Sequence, residues 1–147
     1  MVGKYKVITL CGSTRFKTEF MEVQKKLTLE GNIVISVGLF GHSGDSEVWE
    51  NMDEGTLTAT KEMLDDMHKR KIDMADEIFV INAGGYIGES TRSEIEYAKM
   101  SGKPVRYLEP LKTHSPDGTE SDMAEKQTII RTIKGDITNE KYKGCLI

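Results

Sequence analysis

Four short apolar, β-rich runs alternate with helical patterns along this chain. That order predicts a doubly wound α/β fold, with one parallel sheet and helices on both faces in three α/β/α layers. Two further observations point the same way. The runs are apolar throughout rather than alternating, as in strands covered on both faces. Glycine-bearing loops follow the first and third runs, at the end of the sheet where open α/β folds form their crevice.

The elements follow in order. Lys6-Val7-Ile8-Thr9-Leu10 is the first strand and stops at Cys11-Gly12-Ser13-Thr14-Arg15. From there to Glu30, Phe16, Phe20, Val23, Leu27 and Leu29 recur at helical spacing, and Gly31 supplies the stop. Asn32 to Leu39, with Ile33-Val34-Ile35-Ser36-Val37, is the second strand, followed by the polar loop Gly41-His42-Ser43-Gly44-Asp45. A helix over Thr56 to Ala75 carries Leu57, Leu64, Met67 and Met74 near one face. Asp76-Glu77 opens the third strand, which runs through Ile81. A helix from about Thr91 to Met100 ends at Gly102, and Pro104 to Leu108 is the fourth strand. With the first strand central, the order is flavodoxin-like. Residues 1–110 form this domain. Residues 111–147 read as a C-terminal helix and tail on the same domain: Pro116-Asp117-Gly118 marks a turn, and Ile129, Ile130 and Ile133 make a short apolar stripe.

Composition narrows the function classes. The chain is 37% hydrophobic and 30% charged over 147 residues, with no apolar run near the ~18 residues of a membrane span. It therefore reads as a soluble globular protein without a membrane partner. The basic lead Met1-Val2-Gly3-Lys4-Tyr5-Lys6 is followed by no secretory apolar stretch. Net charge is 20 − 24 = −4 with no basic patch, which argues against nucleic acid as a partner. Cys11 and Cys145 lie far apart without metal-like spacing, as in a protein of the reducing cytoplasm. His42, His68 and His114 show no ligand spacing either, so neither metal nor cofactor is expected.

Three places can carry chemistry. Cys11-Gly12-Ser13-Thr14-Arg15 leaves a strand and opens a helix, so its backbone amides, hydroxyls and Arg15 can hold a phosphate. Ser13 as a plain helix cap is the other reading. The loop is neither a Walker A nor a dinucleotide-binding fingerprint, because Gly-Lys-Ser/Thr and the further glycines are missing. In Gly84-Gly85-Tyr86-Ile87-Gly88-Glu89-Ser90-Thr91-Arg92-Ser93-Glu94, Ser90 and Thr91 are good N-caps, which puts Glu94 in the first helical turn at the mouth of the sheet. There it is either a reacting carboxylate or the N3 member of a Thr91-Arg92-Ser93-Glu94 capping box. Glu96 faces elsewhere and reads as solvated. His68, four residues after Leu64 and four before Ile72, borders a buried stripe, either as a packing residue or as a group paired with Asp65. His42, Asp45, Glu47 and Trp49 sit where a lid over a base can form, or in a solvated acidic loop.

Taken together, Cys11-Gly12-Ser13-Thr14-Arg15, Met74-Ala75-Asp76-Glu77-Ile78-Phe79-Val80, Glu94 in its helix and Gly102-Lys103-Pro104-Val105 resemble the nucleoside 2-deoxyribosyltransferase superfamily. The likeness is greatest to its deoxynucleoside 5′-monophosphate N-glycosidases and covers about residues 5–110. The resemblance implies a flavodoxin-like homo-oligomer that cleaves or transfers at the N-glycosidic bond of a nucleoside or its monophosphate. Glu94 falls at the family's nucleophile. Gly12, Ser13, Thr14 and Arg15, with Gly88 and Ser90, fall at its phosphate and substrate contacts. Pockets completed by a neighbouring subunit would draw on Tyr142, Lys143 and Ile147. The family's usual aspartate, eight residues before Asp76, is here His68, which makes the imidazole the expected donor of a proton to the leaving base. The Ser-Thr-Arg-Ser run before Glu94 is also bulkier than the family's small residues. A catalytically silent nucleotide-binding sensor that kept the pocket is the alternative.

Overall fold

β1 (Val7–Gly12) is the hub of the sheet because both of its edges are paired. On one side lies β2 (Ile33–Ile35), with Val7 opposite Ile33. On the other lies β3 (Glu77–Ile81), with Ile8 opposite Glu77 and Gly12 opposite Ile81. β4 (Val105–Tyr107) pairs with the outer edge of β3. All pairings are parallel and the order is β2-β1-β3-β4, with the first strand central, as the flavodoxin-like pattern requires. The computed structural model describes residues 1–41 and 43–111. The expected helix and tail, with the Ile129, Ile130 and Ile133 stripe, Tyr142, Lys143, Ile147 and Cys145, lie outside those residues, as do His42 and His114.

Helices α1 (Lys17–Leu29), α2 (Glu47–Glu50), α3 (Glu54–Asp73) and α4 (Glu89–Met100), with a short 3-10 turn over Ala83–Gly85 after β3, complete the described elements. α1 covers one face of the sheet: Phe20, Val23 and Leu27 pack on Ile8 and Leu10 of β1 and on Phe79 and Ile81 of β3. α3 and α4 cover the other face, where Ile72, Ile95 and Ala98 meet Cys11, Ile78 and Val80. The strand period of two makes this division, since neighbouring residues point to opposite layers. Among the described residues, no helix is long and apolar enough to cross a membrane.

Several boundaries move for identifiable reasons. β2 stops at Ile35, and the Ser36 carbonyl turns to accept from Lys71 Nζ at 3.0 Å instead of continuing the ladder. α3 begins two residues before Thr56, because the Asp53 carboxylate accepts from the Thr56 amide at 2.8 Å and caps the helix. Its buried side is also rotated from the expected one. Met74 (69% exposed) faces outward, Met67 (43%) lies open on the side of α3 that lines a cleft, and the buried residues of α3 are His68 and Ile72. The far end of α3 is tied down by Lys103, whose ammonium donates to the carbonyls of Ile72, Asp73 and Ala75 at 2.6–2.9 Å. Asp76 accepts from the Val7 amide at 2.7 Å and so ties the start of β1 to the start of β3.

Candidate functional site

A cleft of about 710 Å³ opens beyond the carboxyl ends of β1 and β3, where the crossovers leave β1 in opposite directions. That volume suits a ligand of nucleotide size. The loop after β1, residues 37–39 after β2, the start of α4 and one side of α3 form its walls. Glycine is required at two points. A Cβ on Gly12 would come within 2.8 Å of the Ile81 carbonyl, so only glycine lets β1 and β3 stay paired to the rim. A Cβ on Gly41 would meet Trp49 Nε1 at 2.5 Å, so glycine lets the indole lie against the chain and wall the cleft.

α4 begins at Glu89 with Gly88 as its cap, and no side chain makes a capping hydrogen bond. Neither Ser90 nor Thr91 is therefore the N-cap, and Thr91 is buried inside the helix. The capping box does not form. Glu94 is the sixth residue of the helix, in its second turn, and its side chain is 14% exposed at the floor of the cleft. The earlier start follows from Gly88, whose extended backbone (ψ 173°) serves as a cap without a side-chain oxygen.

Glu94 meets two residues from other elements. His68, buried on α3, holds Nε2 at 3.8 Å from a Glu94 carboxylate oxygen and 3.4 Å from Cys11 Sγ at the end of β1. Burial pushes the Glu94 carboxyl up to about 8, and the negative charge of Asp65 adds to the shift. A hydrogen bond from Cys11 and the charges of Lys69 and Lys71 oppose it. Burial likewise takes His68 down to about 4, helped by the charge of Lys71 and opposed by the ring's hydrogen bond to the Leu10 carbonyl. The Cys11 thiol is held well above its ordinary value by burial first and then by Glu94. At neutral pH the contact is therefore between a protonated carboxyl, a neutral imidazole and a thiol, not an ion pair. An imidazole held neutral is not a standing acid, and the proton that His68 was expected to carry rests on Glu94. Asp65 acts on Glu94, rather than pairing with His68 as the sequence reading allowed.

The buried Glu77 shows what is unusual here. It sits at the opposite end of β3 with Arg106 at 3.3 Å and Lys6 at 3.7 Å. Among the described residues, no lysine or arginine comes within 4.0 Å of Glu94.

The loop after β1 lines the same cleft, with Gly12, Ser13, Thr14 and Arg15 at the rim. It does not open α1 directly. The Phe16 amide donates to the Ser13 carbonyl at 3.0 Å, and Ser13 Oγ accepts from the Arg15 amide at 3.3 Å. Ser13 is thus no helix cap, and these two amides close a turn instead of facing an anion. The Arg15 guanidinium lies 4.2 Å over the Tyr86 ring and donates to its hydroxyl at 3.3 Å. Gly88 and Ser90 stand on the facing rim. In the second loop, Asp45 accepts from the Phe40 amide at 2.7 Å and is a structural residue.

Sequence reasoning passed over Cys11 as a site residue, and over Lys61 and Lys71 as cleft cations. The strand period carried the signal for Cys11: counting alternately from Ile8 and Leu10 turns it toward α3. Comparisons with family models, curated proteins and solved structures return no match for this chain.

Proposed function

We propose that the protein cleaves or transfers at the N-glycosidic bond of a nucleoside or nucleoside monophosphate, with Glu94 as nucleophile and His68 as its proton partner. The observation that carries this reading is the Glu94 carboxyl itself. It is buried at the floor of a nucleotide-sized cleft, makes no capping hydrogen bond, and among the described residues has the His68 imidazole as the base within 4.0 Å, beside the Cys11 thiol. Between about pH 4 and pH 8 the pair holds one proton. Moving it from Glu94 to Nε2 makes a carboxylate that can attack the anomeric carbon and an imidazolium that can protonate the departing base. The 3.8 Å separation exceeds a hydrogen bond and closes with a shift of under about 1 Å, as catalytic contacts do when substrate binds. The glycosyl-Glu94 ester is then released to water or to a second base, and the proton returns to the pair.

The test is incubation of the protein with a panel of nucleosides and monophosphates, followed by detection of free base. Base release that Glu94→Gln abolishes supports the reading. Tight ligand binding without base release supports a silent sensor instead.

A further inference from the structure

We infer that Cys11, His68 and Glu94 form a three-ligand site for a borderline-soft divalent transition metal, with Zn²⁺ the best fit. The inference goes beyond the proposed activity and does not depend on it. The three residues come from β1, α3 and α4, and each offers one ligand atom, all within 4.8 Å of one another. Tetrahedral zinc with Zn–S of about 2.3 Å and Zn–N or Zn–O of about 2.0–2.1 Å places its ligand atoms roughly 3.3–3.6 Å apart. Here Sγ and Nε2 are 3.4 Å apart, and Nε2 and the carboxylate oxygen 3.8 Å. The third pair, Sγ and a carboxylate oxygen, lies within 4.8 Å, so one ion drawn between the three needs side-chain adjustments of about 1 Å at most.

The surroundings fit a metal as well. The Leu10 carbonyl acts on the His68 ring, a backbone oxygen of the kind that orients a metal-ligating imidazole. Asp65 adds a second carboxylate that acts on Glu94, against Lys69 and Lys71 on the same helix. A set of one sulfur, one nitrogen and one oxygen selects zinc, cobalt or iron(II) over magnesium or calcium, which prefer all-oxygen sites. His68 and Glu94 line the cleft, so the fourth position opens to water or a ligand. The ion displaces the protons of Cys11 and Glu94 and occupies the lone pairs that glycosidic cleavage would use. Metal binding and that reaction therefore exclude each other at this carboxylate.

Chelator-treated full-length protein titrated with Co²⁺ reads the site directly. The expected result is one ion per chain, with the visible bands of tetrahedral cobalt and a thiolate-to-cobalt charge-transfer band. Zn²⁺ should displace the cobalt and bleach both. Cys11→Ser should remove the charge-transfer band and Cys145→Ser should keep it. Glu94→Gln should weaken binding by more than roughly 100-fold, the upper range for loss of an outer-shell partner alone. Wild-type protein that gives no such band overturns the inference whatever the variants do, and so does a band that survives Cys11→Ser. Base release by the chelator-treated protein is scored separately. A silent enzyme that binds cobalt defeats the activity alone, and an active one that binds none defeats the metal site alone. Where both hold, Zn²⁺ should halt base release over the concentrations at which it displaces cobalt.

Discussion

The two faces of the sheet are built by the same strands and do different work. On the α1 face, Ile8, Leu10, Phe79 and Ile81 meet Phe20, Val23 and Leu27, and the buried charge of Glu77, in register with Ile8, stands at the far end of β3 already paired with Arg106 and Lys6. On the opposite face, the alternate residues of β1 are Val7, Thr9 and Cys11. Thr9 Oγ1 donates to the Lys71 carbonyl at 2.9 Å, and Cys11 meets His68. The difference shows how a small fold can afford a buried polar cluster. One layer keeps its hydrophobic burial around α1 and pairs its buried strand carboxylate, Glu77, with cations, and the other gathers its buried titratable groups at the carboxyl end of the strands, with Ile72, Ile78 and Ile95 filling the remainder.

The sharpest test of that division is a change on the polar face that alters chemistry without unfolding the protein. Glu94→Gln keeps the volume of the side chain and removes its ionisation. If the dyad reading is right, turnover should fall by ~10⁴-fold or more, the scale for losing a nucleophile. In chelator-treated wild type, kcat/KM should follow a bell with limbs near 4 and 8, because the reactive form is the pair with one proton. A profile that only rises through 8 would show Glu94 acting alone as a carboxylate.

The converse change belongs on the apolar face. Phe20 is fully buried and packs edge-on against Phe40, with ring centroids 5.5 Å apart. Phe20→Ala should cost ~3–5 kcal/mol in chemical denaturation, the range for a large core side chain cut to alanine. The shape of the pH dependence of stability should not change. A variant whose pH profile changes as well would show the two faces to be coupled.

The polar face also makes stability depend on pH. Glu94 has its folded pKa raised from 4.5 to about 8, so the stability present below 4.5 is lost progressively as pH rises to 8. His68 has its folded pKa lowered from 6.5 to about 4, so stability is lost as pH falls from 6.5 to 4. Between 4.5 and 6.5 the two slopes cancel, and from 6.5 to 8 only that of Glu94 remains. At ~1.36 kcal/mol per unit, those 1.5 units amount to about 2 kcal/mol. Urea denaturation of chelator-treated protein at pH 6.5 and 8 should show this decline in wild type and lose it in Glu94→Gln. An undiminished decline in the variant would place its source elsewhere.

Much of the fold was legible because it rests on periodicity. The apolar runs marked all four strands, and Asp76 and the Gly102-Lys103-Pro104-Val105 motif turn out to tie strands and helix ends together. That Glu94 and His68 share one cleft was legible for different reasons, one by its place after a strand and the other by its helical phase. What failed was local chemistry. Thr91 followed by Glu94 reads as a capping box, but Gly88 starts the helix sooner and turns Glu94 into the cleft. Cys11 was hidden because its partners come from helices more than fifty residues away, and no spacing rule joins them. The Arg15 and Phe16 amides looked free for an anion until the loop closed on itself, both donating to Ser13.

That loop belongs to neither face, and it carries the smallest expected effect. Arg15 is exposed at the rim, yet its guanidinium is held by stacking on Tyr86 and by the hydrogen bond to the tyrosine hydroxyl. Ser43 Oγ fixes the backbone beneath it by donating to the Arg15 carbonyl at 3.0 Å. The guanidinium is thus ordered before a ligand arrives, which lowers the entropy lost when it binds an oxyanion. Across the rim, α4 starts at Gly88 without a side-chain cap, so its first amides and the positive end of its dipole face the same space. A phosphate there would be read by one charged side chain and one helix end, both open to water, which keeps the gain modest. A nucleoside monophosphate should therefore bind more tightly than its nucleoside. Arg15→Ala should shrink that preference by about tenfold, or ~1.4 kcal/mol, with little change in nucleoside affinity. Calorimetric titration of both ligands on both proteins measures the difference. Equal affinities in the wild type would remove phosphate from the rim and leave Arg15 as a brace for Tyr86.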